Sequence, residues 1–361
     1  MITQKSICFI MPGLSHGAVG GYKIVYEYAN RLSLLGYNVS VFYPLFMTKR
    51  MRFSLFVRIK KLFAYLPLKI FKLYKQKWFL LKNVKEEFSF SYNKKLFQKY
   101  DVLIATFIDS AFALHDFQLG KSKSCIYLIQ DFEKWPPFSE SLVFESYKFP
   151  MKKIVITPWL LQKVRSTGEN AAVIYNGLDF SYFTLLKKIE ERNPYEISLM
   201  YHTRPEKRFN DAVMALDIVH DNFPQIHVSV FGVFNNPGNF PDWFSYYKSP
   251  SKELHNKIYN DASIYIAASS SEGFGLTVAE AMICGCAVVC TDNGGFSSMV
   301  KNAETGLLSP IYDYKKLAKN VIRLISDNEL RINLAKNGNK NIKKFNWETA
   351  VEQFQKVIEE C

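Results

Sequence analysis

Residues 272–280 read EGFGLTVAE: two carboxylates, Glu272 and Glu280, enclosing Gly273, Phe274 and Gly275 and the start of an apolar run at Leu276. The strand-like SIYIAAS precedes this stretch, so the chain must turn sharply here. Gly273 and Gly275 allow that turn while bringing backbone N–H groups to the mouth of the following helix, where a pyrophosphate fits. Local structure offers Glu280 a different role, because Thr277 and Glu280 have the S/T-x-x-E spacing of a capping box. Glu272, taken alone, reads as a solvated loop acid. A second glycine site, Gly20-Gly21, ends the loop PGLSHGAVGG ahead of an amphipathic pattern and offers N–H groups and a positive helix end to an anion or a sugar hydroxyl. Glycine pairs also serve tight turns that bind nothing. The spacing is not GxGxxG, and Tyr43-Pro44 stands where a dinucleotide-binding domain needs an acid after its second strand, which argues against a nicotinamide cofactor.

Metal chemistry finds little support. There is no DxD, only Asp131-Phe132-Glu133, so a diphosphate held through a divalent ion is not expected. The six cysteines form no CxxC pair and the histidines no cluster at zinc spacing; the cysteines read as reduced core residues. Asp131 follows a strand candidate and serves equally as an acceptor base or as a turn-forming Asp. His16 and His115 are lone histidines, a type more often structural or superficial than catalytic.

The elements that must carry these residues alternate regularly. SICFIM (6–11), the glycine loop, the helix pattern ending at Gly36 and NVSVFYP form a strand–loop–helix–strand opening, and right-handed crossover makes such a sheet parallel. VLIATF (102–107), CIYLIQ (125–130) and KIVITP (153–158) continue the sheet, and AAVIYNGLD closes this half. Residues 181–196 are charged and loosely patterned and read as a linker. ISLMYH, IHVSVFG, SIYIAAS and AVVCTD then alternate with DAVMALDIVHDNF, SKELHNKIYNDA and LTVAEAMICG, and three helices are expected after Asp313. With 361 residues the chain exceeds one usual core. The alternation predicts two tandem doubly wound α/β domains, 1–178 and 196–345, a terminal helix at 346–361 and a cleft between the domains, with ligands at the carboxyl ends of strands.

The formal charge of +13 is concentrated: up to Lys85 there are 15 Lys and Arg against one acid, Glu27. Twelve of these bases lie in residues 47–85, among Phe, Leu, Tyr and Trp. Leu55, Ile59, Leu62 and Leu66 fall on one helical stripe, widened by Phe56 and Phe63, with Arg58, Lys60 and Lys61 off it and Pro67 ending the pattern. Such a helix can lie in an anionic membrane interface, or it can pack on its own sheet with its charges in water. No nucleic-acid recognition signature accompanies the bases. The N-terminal ICFIMPGL is too short for a signal peptide and no apolar run reaches 18 residues, so the expected location is cytoplasmic, peripheral on the inner face of the cell membrane.

EGFGLTVAEAMICGCAVVCTDNGG, followed by ETGLLSP and by FNW before a last helix, resembles the signature of the retaining, nucleotide-sugar-dependent glycosyltransferases called group 1, which have the GT-B fold; YNGLD at 175–179 is similar to the segment by which that family enters its second domain. The resemblance implies that Glu272 faces the donor sugar, that Glu280 holds the nucleotide ribose, and that backbone groups of Gly273, Phe274, Gly275 and Leu276 meet the phosphates and sugar. It implies that Lys207 grips the diphosphate, as does an Arg five positions earlier; here that place holds His202, with Arg204 and Arg208 as the candidate substitutes. Ser298 stands where the family has an acid after its later glycine pair. YLIQDFEKW (127–135) resembles a segment of bacterial rhamnosyltransferases, with Asp131 on the acceptor side. The implied activity is transfer of a hexose, rhamnose included, from a nucleotide diphosphate to a glycan or lipid-linked acceptor, without a metal. A sugar-nucleotide epimerase of the same architecture and a non-catalytic membrane-surface module are the competing readings.

Overall fold

The computed structural model describes residues 5–15, 17–48, 76–119, 123–236, 238 and 240–361. The stripe and charges at Leu55, Phe56, Arg58, Ile59, Lys60, Lys61, Leu62, Phe63 and Leu66 therefore lie outside the described residues, as does His16. The chain divides into two compact units, one of residues 1–176 with 348–361 and one of 177–347.

The first unit holds a parallel sheet of β1 (Ser6–Ile10), β2 (Asn38–Pro44), β3 (Lys85–Ser89), β4 (Val102–Ala105), β5 (Ser124–Ile129), β6 (Lys152–Val155) and β7 (Ala172–Val173), in the order β3-β2-β1-β4-β5-β6-β7. Helix α1 (Gly20–Leu34) joins β1 to β2, and α2 (Lys94–Phe97), α3 (Ile108–Asp116), α4 (Glu140–Tyr147) and α5 (Pro158–Arg165) follow in chain order. Ile7, Cys8, Phe9 and Ile10 are all buried, because a central parallel strand is covered on both faces and reads as a continuous apolar run. The chain's last helix, α11 (Trp347–Glu359), returns to this unit for nearly all its length: Phe354 packs 6.2 Å from Phe9 and 4.5 Å from Tyr28, and Lys5 donates to the Ile358 carbonyl at 2.9 Å.

The second unit repeats the plan with β8 (Glu196–Met200), β9 (His227–Gly232), β10 (Phe244–Lys248), β11 (Ile264–Ala267), β12 (Ala287–Thr291) and β13 (Leu307–Ser309), ordered β10-β9-β8-β11-β12-β13 and parallel throughout. Helices α6 (Phe209–Asn222), α7 (Lys252–Asp261), α8 (Leu276–Ile283), α9 (Tyr314–Ser326) and α10 (Asn328–Ile342) complete it. Its core runs from Ile197, Val228 and Ile264 in the sheet to Ala212 and Leu216 on α6 and Val321 and Leu324 on α9.

Residues 181–196, expected as a linker, pack as part of this unit. Phe183 and Ile189 are buried, and the buried Arg192 guanidinium donates to the carbonyls of Lys187, Ala262 and Cys284. A charged residue here satisfies carbonyls that would otherwise be orphaned at the ends of α7 and α8. Of the six cysteines, all unbridged, five are buried and Cys361 is partly exposed. Among the described residues no helix is long and apolar enough to cross a membrane.

Candidate active site

In the second sheet β8 and β11 are neighbours whose chains leave in opposite directions, β8 through α6 to β9 and β11 through α8 to β12. The crevice at such a reversal is where open α/β sheets take ligands, outside the carboxyl ends of the strands. Two loops meet there, 201–208 after β8 and 268–275 after β11. They are tied by the Ser270 N–H, which donates to the Glu206 carbonyl at 2.8 Å. Lys207 and Glu272 are brought face to face by that tie: Nζ lies 2.7 Å from Oε1, and Ser269 Oγ donates to the same oxygen at 2.8 Å. Both side chains are largely sheltered, 19% and 14% exposed, so their charges act with less screening than a surface pair. A small cavity here is lined by Lys207, Glu272, Ser269, Tyr265, Thr277 and Phe296.

The turn that carries Glu272 is built for close approach. Gly275 has φ +100°, and a Cβ there would lie 2.5 Å from the Phe296 ring. Gly295 presses on the other side, where a Cβ would overlap the Glu272 carbonyl. The Ser269 carbonyl accepts from Thr291 Oγ1 and Asn293 Nδ2, which anchors the loop to the end of β12.

Helix α8 starts at Leu276 with Gly275 as its N-cap, without a side-chain cap and without an acid in its first turn. The capping-box alternative for Glu280 therefore fails: Thr277 is already inside the helix, and Glu280 Oε2 accepts from the Tyr259 hydroxyl at 3.3 Å. The first N–H groups of α8, with the positive end of its dipole, lie in the turn beside Glu272.

The two arginines considered as diphosphate clamps each lie beside an acid. Arg208 adopts the left-handed region (φ +50°) as the N-cap residue of α6; its Nε and Nη2 hold Asp211 at 2.8 and 2.7 Å, and its guanidinium lies 5.0 Å from the Tyr312 ring. To serve at a phosphate Arg208 would have to exchange Asp211 for it, since its fork is closed on that carboxylate. Arg204 is 56% exposed with Nη1 3.5 Å from Glu206. His202, by contrast, is half-buried at the end of β8. Its Nδ1 accepts the Arg204 N–H at 3.0 Å and its ring meets Phe234 edge to face at 4.8 Å. Burial first, then the charges of Lys207 and Arg204, push its imidazole down to about 4 against the opposing pull of Glu206 and Glu272.

The remaining candidates sit in the first unit, whose sheet reverses in the same way between β1 and β4. Gly20 and Gly21 open α1, which has no side-chain cap and no acid in its first turn, and Gly21 lies against the Gln130 amide. Asp131 Oδ1 accepts the N–H of the next residue, Phe132, at 2.8 Å. His115 stacks on Phe149 at 4.0 Å near the surface. Two buried acids in this unit, Asp109 and Glu133, carry no sequence signal of a site. Asp109 accepts the Thr48 N–H at 2.9 Å, and Glu133 accepts the Ile108 N–H at 2.5 Å, its carboxyl pushed well above the usual range by burial. Nothing in their spacing distinguishes them from solvated acids; only burial does. Among the described residues no three His, Cys, Asp or Glu side chains gather as for a metal ion.

Residues 184–341 match the family model described as glycosyl transferases group 1. An uncharacterised glycosyltransferase of Methanocaldococcus jannaschii is 38% identical over 98 residues, 27% of this chain and 28% of that protein. A phosphatidyl-myo-inositol mannosyltransferase of Mycolicibacterium smegmatis is 22% identical over 207 residues, 55% of this chain and 54% of that protein. The matches thus span about a quarter to a half of the length of these relatives. Among solved structures, Anabaena HepE in complex with UDP and glucose aligns over 99% of this chain and 100% of its own, with a TM-score of 0.75 and 14% identity. A sucrose-phosphate synthase of Thermosynechococcus elongatus aligns over 99% of both chains at 0.74 and 17%. Both likenesses give the fold, GT-B.

Proposed function

We propose, because residues 184–341 match the group 1 glycosyltransferase model and the chain has the GT-B fold, that it transfers a hexose, rhamnose among the candidates, from a nucleotide-diphosphate donor to a glycan or lipid-linked acceptor with retention of configuration. The observation that carries this reading is the Lys207–Glu272–Ser269 cluster, pinned at the carboxyl ends of β8 and β11 beside the uncapped start of α8. A diphosphate bound there would meet the Lys207 ammonium and the α8 N–H groups, which are held in place before reaction and so stabilise charge on the departing nucleotide without reorganisation. Glu272 would face the sugar, and Glu280, one to two turns into α8, the ribose. With the leaving charge met in this way a divalent metal is dispensable. The test is incubation with labelled UDP-, GDP- and dTDP-sugars while nucleotide release is followed with and without a glycan or lipid-linked acceptor. Acceptor-dependent release supports the reading; conversion of the donor sugar without any acceptor supports an epimerase; no turnover with any donor supports a non-catalytic module.

The acceptor side of this proposal includes docking on an anionic membrane through residues 47–85. In the described structure the segment 80–83 is tied to the last turns of α1, Asn30 donating to the Leu80 carbonyl at 2.9 Å and accepting the Lys82 N–H at 2.8 Å. Leu34, Leu35 and Leu80 are exposed there. Each base near acidic lipid contributes about 1 kcal/mol, an attraction that fades beyond a Debye length of about 8 Å at physiological salt. Binding to phosphatidylglycerol liposomes is therefore expected to fall as salt rises. Replacing Arg58, Lys60 and Lys61 with Glu should abolish cosedimentation; a triple variant that pellets like the parent, or equal binding to neutral liposomes, would remove the docking proposal.

A further inference from the structure

Helix α1 carries Tyr26, Asn30 and Ser33 on one face, at the i, i+4, i+7 spacing of a stripe. Residues 76–83 lie along that stripe in order. Trp78 and Phe79 pack on the Tyr26 ring at 5.5 and 5.3 Å, Asn30 holds the Leu80 carbonyl and the Lys82 N–H, and Ser33 Oγ donates to the Asn83 carbonyl at 2.9 Å. The start of this strap is fixed as well: the Gln76 amide oxygen accepts the Phe79 N–H at 2.9 Å, and the Tyr26 hydroxyl accepts from Tyr43, on β2, at 2.9 Å. The strap also reaches the glycine loop between β1 and α1, where Trp78 Nε1 donates to the Ser15 carbonyl at 3.1 Å. The Trp78 ring is partly buried, so its N–H needs an acceptor, and it finds one on the loop.

A loop rich in glycine has many backbone conformations open to it, so one fixed shape there must be imposed by contacts. Tyr22, in the first turn of α1, donates to the Gly13 carbonyl at 2.9 Å, and Ser15 Oγ donates to the Gly17 carbonyl at 2.8 Å. Both of those bonds are local in sequence, whereas the indole bond joins the loop to a strap 63 residues further on. The loop follows the carboxyl end of β1, beside the reversal between β1 and β4 where open parallel sheets take ligands. We infer that Trp78 is a positioning residue for the proposed sugar transfer, its indole N–H holding the glycine loop in the shape that receives a hydroxyl-bearing acceptor. This rests on the nucleotide-sugar reading above. Trp78 itself touches no substrate and acts through the Ser15 carbonyl.

The experiment compares Trp78→Phe, which keeps a ring against Tyr26 and Phe79 but has no N–H to donate, with Trp78→Ala, which removes both. The full chain is used with the donor and acceptor that give acceptor-dependent release from the panel of UDP-, GDP- and dTDP-sugars. In Trp78→Phe the KM for the acceptor is expected to rise by about three- to tenfold, the scale of one neutral hydrogen bond. The donor KM and the calorimetric affinity for the matching diphosphate should stay within about twofold of the parent, because Lys207 and Glu272 belong to the other unit. The melting temperature should fall by no more than about 3 °C. Trp78→Ala should raise the acceptor KM further and lower the melting temperature more; if it does not fold, the Phe variant carries the comparison. A second readout needs no substrate: the isotope-labelled chain has five indole N–H groups, one per Trp, and the signal lost in Trp78→Phe should exchange with solvent at least about threefold more slowly than free indole. An unchanged acceptor KM, an equal rise in the donor KM, a fall in kcat alone that follows a lowered melting temperature, or a Trp78 N–H that exchanges as fast as free indole would overturn the inference while leaving the nucleotide-sugar reading standing. A parent chain with no acceptor-dependent release would overturn both.

Discussion

Lys207→Ala is expected to lower the rate of sugar transfer by about 100-fold or more, since removing one preorganised group from a developing anion costs about 2.7 to 4 kcal/mol. The expectation follows from where the ammonium sits. Lys207 is 19% exposed and held by Glu272 at 2.7 Å, on a loop that the Ser270–Glu206 bond fixes to the opposite loop. It is therefore positioned before a substrate arrives, and its loss cannot be made good by Arg208, whose fork is closed on Asp211. Little stability should be lost, because Glu272 keeps the Ser269 hydroxyl and partial access to water. Single-turnover rates with a labelled donor measure the effect. A Lys207→Ala variant that turns over like the parent would take the leaving-group role away from this residue.

Glu280→Ala is expected to weaken nucleotide binding by at least about tenfold, since hydrogen bonds to an ionised group are worth about 1.5 to 3 kcal/mol each and no neutral side chain replaces a carboxylate that accepts two hydroxyls. Its cost in stability should be small beside that, for two structural reasons. The helix begins at Leu276, so Glu280 is not the acid of a capping box, and its bond to the Tyr259 hydroxyl is long at 3.3 Å. Unchanged nucleotide affinity together with a clearly lowered melting temperature would show that the carboxylate serves only the fold.

Much of this architecture is legible in the sequence because buried parallel strands are continuous apolar runs. SICFIM, VLIATF and AVVCTD each mark a strand that both faces of the sheet cover. The strands that escaped detection are edge strands or very short ones. KEEFS became β3 and FSYYK became β10, each at an edge where half-burial permits charge and polarity, and LLS is only three residues long. The supposed linker was misread for a related reason: Arg192 looks like a surface charge until its carbonyl partners are seen, and sequence spacing does not reveal those partners.

At the site, the glycine turn and its two acids could be read directly, because a turn between a strand and a helix leaves a strong local signature. What spacing could not decide was the helix start. A shift between Leu276 and a cap at Thr277 separates a binding carboxylate from a capping one, and it is set by Gly275 packing against Phe296. Nor could it show the partners of His202, Arg204 and Arg208, since all three lie on one loop and differ in the contacts that tertiary structure supplies.

The central claim is that the crevice between β8 and β11 binds a nucleoside diphosphate through protein groups alone. The most direct measurement is calorimetry of the full chain with UDP, GDP and dTDP and their monophosphates, in the presence and absence of EDTA. The account predicts that one diphosphate binds at least about tenfold more tightly than its monophosphate, because the added phosphate meets Lys207 and the start of α8, and that EDTA leaves this difference unchanged. Equal affinity for the monophosphate and the diphosphate, or a preference that vanishes with EDTA, would contradict it.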